Sequence, residues 1–216
     1  MAETAHIPCI HVLAGTNGAG KSSIAGAMIL ESGAEYFNPD EATHRILSAN
    51  PGISLANANS AAWYEGKRLL ERAIDERLDY TFETTLGGKT IIALLERAIA
   101  QKIEVRMWYV GLRSPELNVE RVHARVAKGG HDIPQAKIHE RYRQSLLNLI
   151  RLLPNLTELL VYDNTEEGDP QMGKAPEPKL LLRLVYRKIE DSCDLALTPQ
   201  WAKPILAAAF KLPKIG

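Results

Sequence analysis

A glycine-rich loop between a strand pattern and a helix pattern constrains this chain more than any other feature. The run Gly15-Thr16-Asn17-Gly18-Ala19-Gly20-Lys21-Ser22-Ser23 follows an apolar stretch, Ile7 to Ala14, and leads into an amphipathic pattern that ends near Leu30. Its spacing, Gly-x4-Gly-Lys-Ser, is typical of a loop that holds phosphates with backbone N–H groups at a helix N-terminus. The spacing and its context predict a nucleoside triphosphate site, with Lys21 on the β and γ phosphates and Ser22 on Mg²⁺.

Apolar runs of strand length alternate with stretches of helical period along most of the chain, which is typical of an α/β fold with a parallel sheet. Strands are expected at Ile7–Ala14, Tyr36–Phe37, Tyr80–Glu83, Val105–Gly111 and Leu159–Tyr162. Helices are expected over Lys21–Leu30, from Glu41 onward, and over Ala56–Arg77, Lys89–Gln101, Pro115–Gly130 and Pro134–Leu153. The end of the chain is expected to add one strand, within Leu180–Ile189, and one helix, Pro199–Phe210. With the glycine loop, this pattern predicts one domain over residues 1–216, a P-loop kinase or hydrolase fold with a central parallel sheet flanked by helices.

Charge and apolar content exclude several classes of protein. The 26 Lys and Arg residues balance 26 Asp and Glu, so bulk charge gives no reason to expect a nucleic acid or a membrane as partner. The longest unbroken apolar stretch, Pro204–Phe210, is far below the ~20 residues of a membrane-spanning helix. Since the first fourteen residues lack Lys and Arg and the chain has two cysteines, we expect no secretory signal and a cytoplasmic location.

A phosphate loop alone does not separate a kinase from an ATPase motor or a GTPase. The chain lacks the Asn-Lys-x-Asp with which a GTPase reads its base. A small-molecule kinase needs an acidic residue near the acceptor hydroxyl and cationic groups on a lid, and the sequence offers candidates for both.

Two carboxylates lie at or just after the ends of predicted strands. They are expected at the rim that carries the phosphate loop, and ligands bind at this rim, the carboxyl ends of parallel strands. Asp40 follows the second strand, where it would accept the proton of the substrate; a helix cap in Asn38-Pro39-Asp40 is an equally good interpretation. Glu83 ends the third strand and is followed by Thr84, whose small polar side chain allows close approach of a substrate. A substrate contact, a position behind a magnesium ion and a helix cap remain three open roles for Glu83.

A cationic helix follows the fourth strand. Arg121 and Arg125 are four residues apart and share one helix face, from which they would meet the triphosphate as part of a lid over about residues 115–133. A solvated face, with Glu116 and Glu120 paired to the arginines, is the alternative. The histidines of this stretch recur every eight residues, which is not the spacing of a zinc site.

From about Ile10 to Asn164 the sequence resembles the zeta-toxin kinases, whose better-studied members phosphorylate UDP-N-acetylglucosamine with ATP and Mg²⁺. The resemblance is carried by the glycine loop, by Asn38-Pro39-Asp40, by Phe82-Glu83-Thr84-Thr85-Leu86 and by the run from Arg121 to Pro134, which continues as Arg141-Tyr142-Arg143-Gln144-Ser145-Leu146. The last of these is the most specific.

The resemblance implies ATP and Mg²⁺ as cofactors and a small antitoxin protein as partner, although the fold does not by itself imply a toxin. It also implies that Lys21 contacts the phosphates, that Asp40 is the catalytic base, that Glu83 and Glu104 lie near the sugar, and that Arg121 is a lid arginine. The chain departs from the family at His131, where plasmid-borne members carry a second lid arginine. His131 is then expected beside the substrate, and Arg125 is the candidate replacement.

Two other functions stay open at this point. One is a kinase for another nucleotide or small hydroxyl substrate, and the other is an ATPase or nucleotide-dependent switch without a phosphoryl acceptor. The kinase needs Asp40, whereas a switch does not.

Overall fold

The described residues of the computed structural model are 6–21, 24, 26, 36–127, 132–166 and 177–213. They contain one seven-stranded sheet in the order β2-β3-β1-β4-β5-β6-β7. The strands are β1 (Cys9–Ala14), β2 (Tyr36–Phe37), β3 (Tyr80–Thr84), β4 (Glu104–Gly111), β5 (Glu158–Asp163), β6 (Lys179–Val185) and β7 (Lys188–Ser192). Since β1 to β5 pair in parallel, the predicted α/β fold with a parallel sheet is confirmed.

Three of the described helices have a residue at the N-terminus whose side chain caps them, namely Asn38, Ser54 and Ser114. The described helices are α1 (Pro39–Ala49), α2 (Leu55–Asp75), α3 (Lys89–Ala100), α4 (Pro115–Val126), α5 (Gln135–Leu152) and α6 (Lys203–Phe210), with a 3-10 turn at Leu153–Asn155. Ser114 caps α4 as predicted, because its hydroxyl accepts a hydrogen bond from the Leu117 N–H at 3.3 Å and proline occupies the first helical position. Such caps satisfy backbone groups that a helix end leaves unpaired.

Two apolar clusters cover opposite faces of the sheet, because successive strand residues point to opposite sides. Ile10 and Val12 of β1 belong to the larger cluster, with residues of α2, α3, α5 and α6. Leu13 belongs to the second cluster, where it packs with Trp108 of β4 and Leu117 of α4. Helices thus lie on both faces, and the carboxyl ends of the parallel strands form one rim.

The end of the chain differs from the prediction of one strand and one helix. Residues 179–192 form a hairpin of two antiparallel strands, β6 and β7, and α6 follows them. The turn consists of Tyr186 and Arg187, which adopt φ values of 44° and 66°. Hairpin turns of this kind usually contain Asn or Gly, so the sequence gives no turn signal at this point.

Some predictions concern residues outside the described part of the chain. These are most of the helix expected over Lys21–Leu30 and the helix end at Gly129-Gly130. Among the described helices, none has the length and apolar character needed to cross a membrane.

Candidate functional site

The glycine loop follows β1 at the carboxyl rim of the sheet. Gly15, Gly18 and Gly20 have φ values of +146°, +78° and +78°, a region that side chains other than glycine rarely adopt. A Cβ atom added at Gly15 would lie 2.3 Å from the carbonyl oxygen of Val110, and one at Gly20 would lie 2.2 Å from Nδ2 of Asn164. The glycines are therefore required both by backbone conformation and by close contact with the neighbouring strands.

Lys21 lies against its own loop. Its Nζ donates hydrogen bonds to the carbonyl oxygens of Gly15 at 2.8 Å and Thr16 at 3.3 Å, and it forms an ion pair with Oε1 of Glu83 at 3.2 Å. The lysine is only 7% exposed. Its ammonium group is thus held at the loop by two carbonyls and one carboxylate, oxygen ligands that phosphate oxygens can replace.

Glu83 lies in β3 opposite Leu13 of β1, one residue before the end of each strand. Its second oxygen, Oε2, accepts a hydrogen bond from the Tyr36 hydroxyl at 2.7 Å. Burial and then the negative charge of Glu83 raise the pKa of Tyr36 far above its usual value, so the phenol stays a donor. Glu83 is thus oriented by Tyr36 on one side and Lys21 on the other.

Thr84 shapes the loop after β3. Its hydroxyl accepts a hydrogen bond from the Leu86 N–H at 3.0 Å, and its carbonyl oxygen accepts one from the Gly15 N–H at 3.2 Å. These contacts join the β3–α3 loop to the glycine loop. Thr84 therefore lies at the predicted rim with its hydroxyl engaged as an acceptor.

Asp40 is the second residue of α1, and the cap of that helix is Asn38. Oδ1 of Asn38 accepts hydrogen bonds from the backbone N–H groups of Asp40 at 2.9 Å and Glu41 at 3.4 Å. The Asp40 carboxylate instead forms an ion pair with Nη1 of Arg125 at 3.1 Å. The cap expected in Asn38-Pro39-Asp40 is therefore made by Asn38, and the Asp40 carboxylate contacts Arg125.

The helix α4 packs directly on the glycine loop. The Asn118 side chain, which is fully buried, donates from Nδ2 to Oγ1 of Thr16 at 2.8 Å and to the carbonyl oxygen of Asn17 at 2.6 Å. Further along the helix, Nη2 of Arg121 donates to the carbonyl oxygen of Thr165 at 3.2 Å. A Cβ atom added at Gly20 would lie 3.9 Å from Nη1 of Arg121. Arg121 thus lies beside the glycine loop, while Arg125 lies beside Asp40.

Glu104 does not belong to this group of residues. It begins β4 and pairs in register with Cys9, whereas the end of β1, Ala14, pairs with Tyr109. At ~3.3 Å per residue, five residues place Glu104 about 16 Å along the sheet from the rim. There Glu104 binds Nη2 of Arg106 at 2.9 Å and the hydroxyl of Tyr186 at 2.8 Å. The expectation that Glu104 lies beside the substrate is wrong for this structure, because the residue is at the opposite end of its strand.

Three predicted site residues, Ser22, Ser23 and His131, lie outside the described part of the chain. Four described residues at the loop were not predicted to belong to the site: Tyr36, Asn118, Asn164 and Arg141. Asn164 donates from Nδ2 to the carbonyl oxygen of Ala19 at 2.9 Å, and Arg141 donates from Nη1 to Oδ1 of Asn17 at 2.8 Å. For Asn164, the sequence does carry one indication, its position directly after a buried strand that ends at the same rim.

A cavity of about 420 Å³ lies beside the edge strand β2, between α1 and α2. Tyr36, Asn38, Glu41 and Arg45 are among the residues that line it, and none of the described residues of the glycine loop does. The cavity is therefore next to the rim and separate from the phosphate loop.

Comparison with known proteins gives a family and a fold. The family model of the zeta toxin matches residues 2–167. An uncharacterized protein of Haemophilus influenzae is 30% identical over 135 residues, which make up 59% of this chain and 88% of that protein.

Two solved structures are similar at low sequence identity. The AvrRxo1-ORF1:-ORF2 complex with ATP matches 98% of this chain and 67% of that chain, with a TM-score of 0.65 and 14% identity. The PezAT chromosomal toxin–antitoxin system of Streptococcus pneumoniae matches 74% of this chain and 69% of that chain, with a TM-score of 0.56 and 15% identity. At these identities the similarity concerns the fold.

Proposed function

The chain belongs to the zeta-toxin family, and from this premise we propose that it is an ATP-dependent kinase for a hydroxyl group of a UDP-sugar such as UDP-N-acetylglucosamine. The proposal depends on one observation above all. A phosphate loop with Lys21 shares its rim with the Asp40 carboxylate, which is paired with an arginine of the helix packed on that loop. A phosphate site, a candidate base and a candidate charge-stabilising group are the parts that phosphoryl transfer requires.

ATP binding would change the partners of Lys21. The phosphate oxygens would replace Glu83 and the two loop carbonyls as ligands of its ammonium group. Glu83 would then keep its hydrogen bond from Tyr36, and its other oxygen would accept a hydrogen bond from a substrate hydroxyl. The Thr84 turn would keep this carboxylate at the same rim.

Asp40 would act as the general base. It accepts the proton of the acceptor hydroxyl while that oxygen forms a bond to the γ phosphorus and the bond from this phosphorus to the bridging oxygen of ADP breaks. The products are ADP and the phosphorylated acceptor. Arg125 stabilises the ionised carboxylate, and Arg121 would meet the charge that develops on the phosphoryl oxygens.

Mg²⁺ would bind mainly through the nucleotide. Among the described residues, no three His, Cys, Asp or Glu side chains lie close enough together to hold a metal ion. This fits Mg²⁺, which keeps several waters and binds proteins through one or two side chains plus phosphate oxygens. Ser22 would supply its hydroxyl, and the ion would neutralise charge on the β and γ phosphates.

The experiment is incubation with labelled ATP, Mg²⁺ and a panel of UDP-sugars, nucleosides and dinucleotides. We expect a labelled UDP-sugar from the wild type and none from Lys21→Ala, because that variant lacks the ammonium group aimed at the phosphates. Asp40→Asn keeps the shape of the side chain but cannot accept a proton, so transfer should fall by about 10²- to 10⁴-fold while ATP affinity changes little.

Matched controls are Lys188→Ala and Asp191→Asn on the exposed strand β7, which should leave transfer unchanged. A labelled product from a different acceptor would support the proposed kinase activity and contradict the proposed UDP-sugar substrate. Phosphate release without any labelled acceptor, undiminished in Asp40→Asn, would instead identify an ATPase or switch.

We further propose a cytoplasmic location and a small antitoxin protein as partner. The support is the family match together with the PezAT structure, whose protein is described as a toxin–antitoxin system. Growth arrest on expression of the wild type, absent with Asp40→Asn and relieved by a neighbouring gene, would test the partner.

A further inference from the structure

Arg141 of α5 lies between the glycine loop and the β3–α3 loop, which follows Glu83. Its Nη1 donates to Oδ1 of Asn17 in the glycine loop at 2.8 Å. Its stem packs on Gly87 in the β3–α3 loop, where an added Cβ atom would lie 3.0 Å from Cγ of Arg141 and 3.3 Å from its Cβ. Two loops from distant parts of the chain thus position one guanidinium group.

The charge of Arg141 lacks a counter-ion at contact distance. Among the described residues, no carboxylate lies within 4 Å of its guanidinium, and its hydrogen-bond partner is a neutral amide. Burial lowers the pKa of Arg141, and the carboxylates of Glu140 and Asp40 act in the opposite direction from further away. An arginine stays protonated even so, and a partly buried cation without an anion is unfavourable unless a ligand supplies the negative charge.

The other two arginines of the site already have protein acceptors. Arg121 donates to the carbonyl oxygen of Thr165, and Arg125 is paired with Asp40. Arg125 therefore serves the candidate base, which leaves open the role of a further cation that meets the phosphoryl oxygens. Arg141 has the charge, the location and the planar donor geometry to take that role.

We propose that Arg141 is a catalytic residue that binds the phosphoryl group during its transfer, through its guanidinium N–H groups and the phosphoryl oxygens. This proposal rests on the proposed kinase function and names a residue of the same site. In the transition state, negative charge is spread over the three phosphoryl oxygens, and a guanidinium fixed beforehand stabilises that charge without reorganising. Asn17 and Gly87 are the groups that fix it.

The test compares nucleotide binding in the ground state and in a transition-state mimic, because this comparison needs no acceptor. Affinities of the wild type, Arg141→Met and Arg141→Lys are measured for ADP with Mg²⁺, alone and with aluminium fluoride, which stands in for the phosphoryl group in transfer. Methionine keeps the stem on Gly87 and removes the charge. We expect Arg141→Met to bind ADP within about threefold of the wild type and to bind the aluminium fluoride complex at least about 10²-fold more weakly.

Arg143→Met is the matched control, since Arg143 is an exposed arginine of the same helix two residues away. A second pair of variants leaves the Arg141 side chain unsubstituted. Gly87→Ala would displace the Arg141 stem, whereas Gly88→Ala meets nothing within 4 Å. We expect Gly87→Ala, and not Gly88→Ala, to weaken binding of the aluminium fluoride complex more than binding of ADP. The comparison of these two variants tests the role of Arg141 even if the Arg141→Met protein folds poorly.

The outcomes separate the two proposals. If the wild type binds no nucleotide, the proposed function is wrong, and the role of Arg141 is wrong with it. A second outcome is that the wild type binds the aluminium fluoride complex no more tightly than do Arg141→Met, Arg141→Lys and Gly87→Ala. That result would overturn the role of Arg141 and leave the proposed kinase function unaffected. Equal weakening of ADP and of the mimic would also overturn it, because the residue would then be structural.

Discussion

His11 is a histidine in the middle of the central strand β1, where its neighbours along the chain, Ile10 and Val12, are apolar. It is 7% exposed, its Nε2 lies 3.7 Å from Sγ of Cys9, and its Nδ1 has no hydrogen-bond partner in the described structure. Burial lowers the pKa of His11 below 6.5, and the positive charge of Arg106 lowers it further. The neutral ring is therefore the form that fits the folded protein.

The first prediction concerns the pH dependence of stability. Below pH 6.5 the His11 side chain takes up a proton in the unfolded chain, while the folded protein resists it until its own lower pKa is reached. The free energy of unfolding should therefore fall as the pH decreases from 6.5, with a contribution from His11 of up to about 1.4 kcal/mol per pH unit. Urea unfolding of the wild type at several pH values between 7.5 and 5 measures this change in the free energy of unfolding.

His11→Gln removes this titration and should flatten the slope in that interval, whatever it does to stability at pH 7.5. His123→Gln, at an exposed position of α4, is the control and should keep the slope of the wild type. An unchanged slope in His11→Gln would show that other groups cause the acid lability.

At the scale of the element, the glycine loop and the helical position of Gly26 place opposite demands on glycine. Gly20 has a φ of +78° and touches Asn164, whose Nδ2 holds the carbonyl of Ala19. Gly26 is helical, and an added Cβ atom there meets nothing within 4 Å. The same substitution should therefore have opposite effects at the two positions.

The second prediction is that Gly20→Ala lowers the free energy of unfolding by about 1–3 kcal/mol, because a side chain is forced into the left-handed region against Asn164. It should also weaken ATP binding by more than about tenfold, since the backbone N–H groups of the loop move. Gly26→Ala should raise stability by about 0.5–1 kcal/mol. Denaturant unfolding and nucleotide titration of both variants provide the comparison, and equal effects at the two positions would contradict the loop geometry.

At the scale of the whole molecule, the chain beyond the family match completes the core. Trp201 and residues of α6 belong to the larger apolar cluster together with residues of β1 and β4. The indole ring packs so closely on Gly111 that an added Cβ atom there would lie 2.3 Å from it, and its N–H donates to Oδ1 of Asp163 at 3.1 Å. The C-terminal segment thus contacts the ends of β4 and β5, next to the strand end from which Asn164 holds the glycine loop.

The third prediction is that Trp201→Ala destabilises the whole protein by about 3–5 kcal/mol, because a large ring and a hydrogen bond are lost from the core. The measurement is the denaturant midpoint followed by circular dichroism. Leu197→Ala is the control, since Leu197 is 70% exposed and its truncation should cost less than about 0.5 kcal/mol. A Trp201→Ala protein as stable as the wild type would mean that the C-terminal segment is an appendage and not part of the core.

The sequence by itself determined the features that depend on neighbours along the chain. The glycine loop, its position between a strand and a helix pattern, and the cap of α4 at Ser114 follow from spacing of less than ten residues. Backbone φ preferences, capping and strand or helix period act over this range, so residue types report them directly. The alternation of strand and helix patterns also predicted the parallel sheet, because two parallel strands must be joined by a crossover segment, which is usually a helix.

Only the tertiary structure decided which distant residues meet at the loop. Glu83 and Glu104 are both strand residues with carboxylates, yet β3 ends near Glu83 and β4 begins at Glu104, which places them at opposite ends of the sheet. Arg141 meets Asn17 across 124 positions of the chain because α5 packs over the rim. Such contacts depend on the direction of each strand, on its register and on helix packing, which are properties of the assembled sheet and are not encoded in any local pattern of residues.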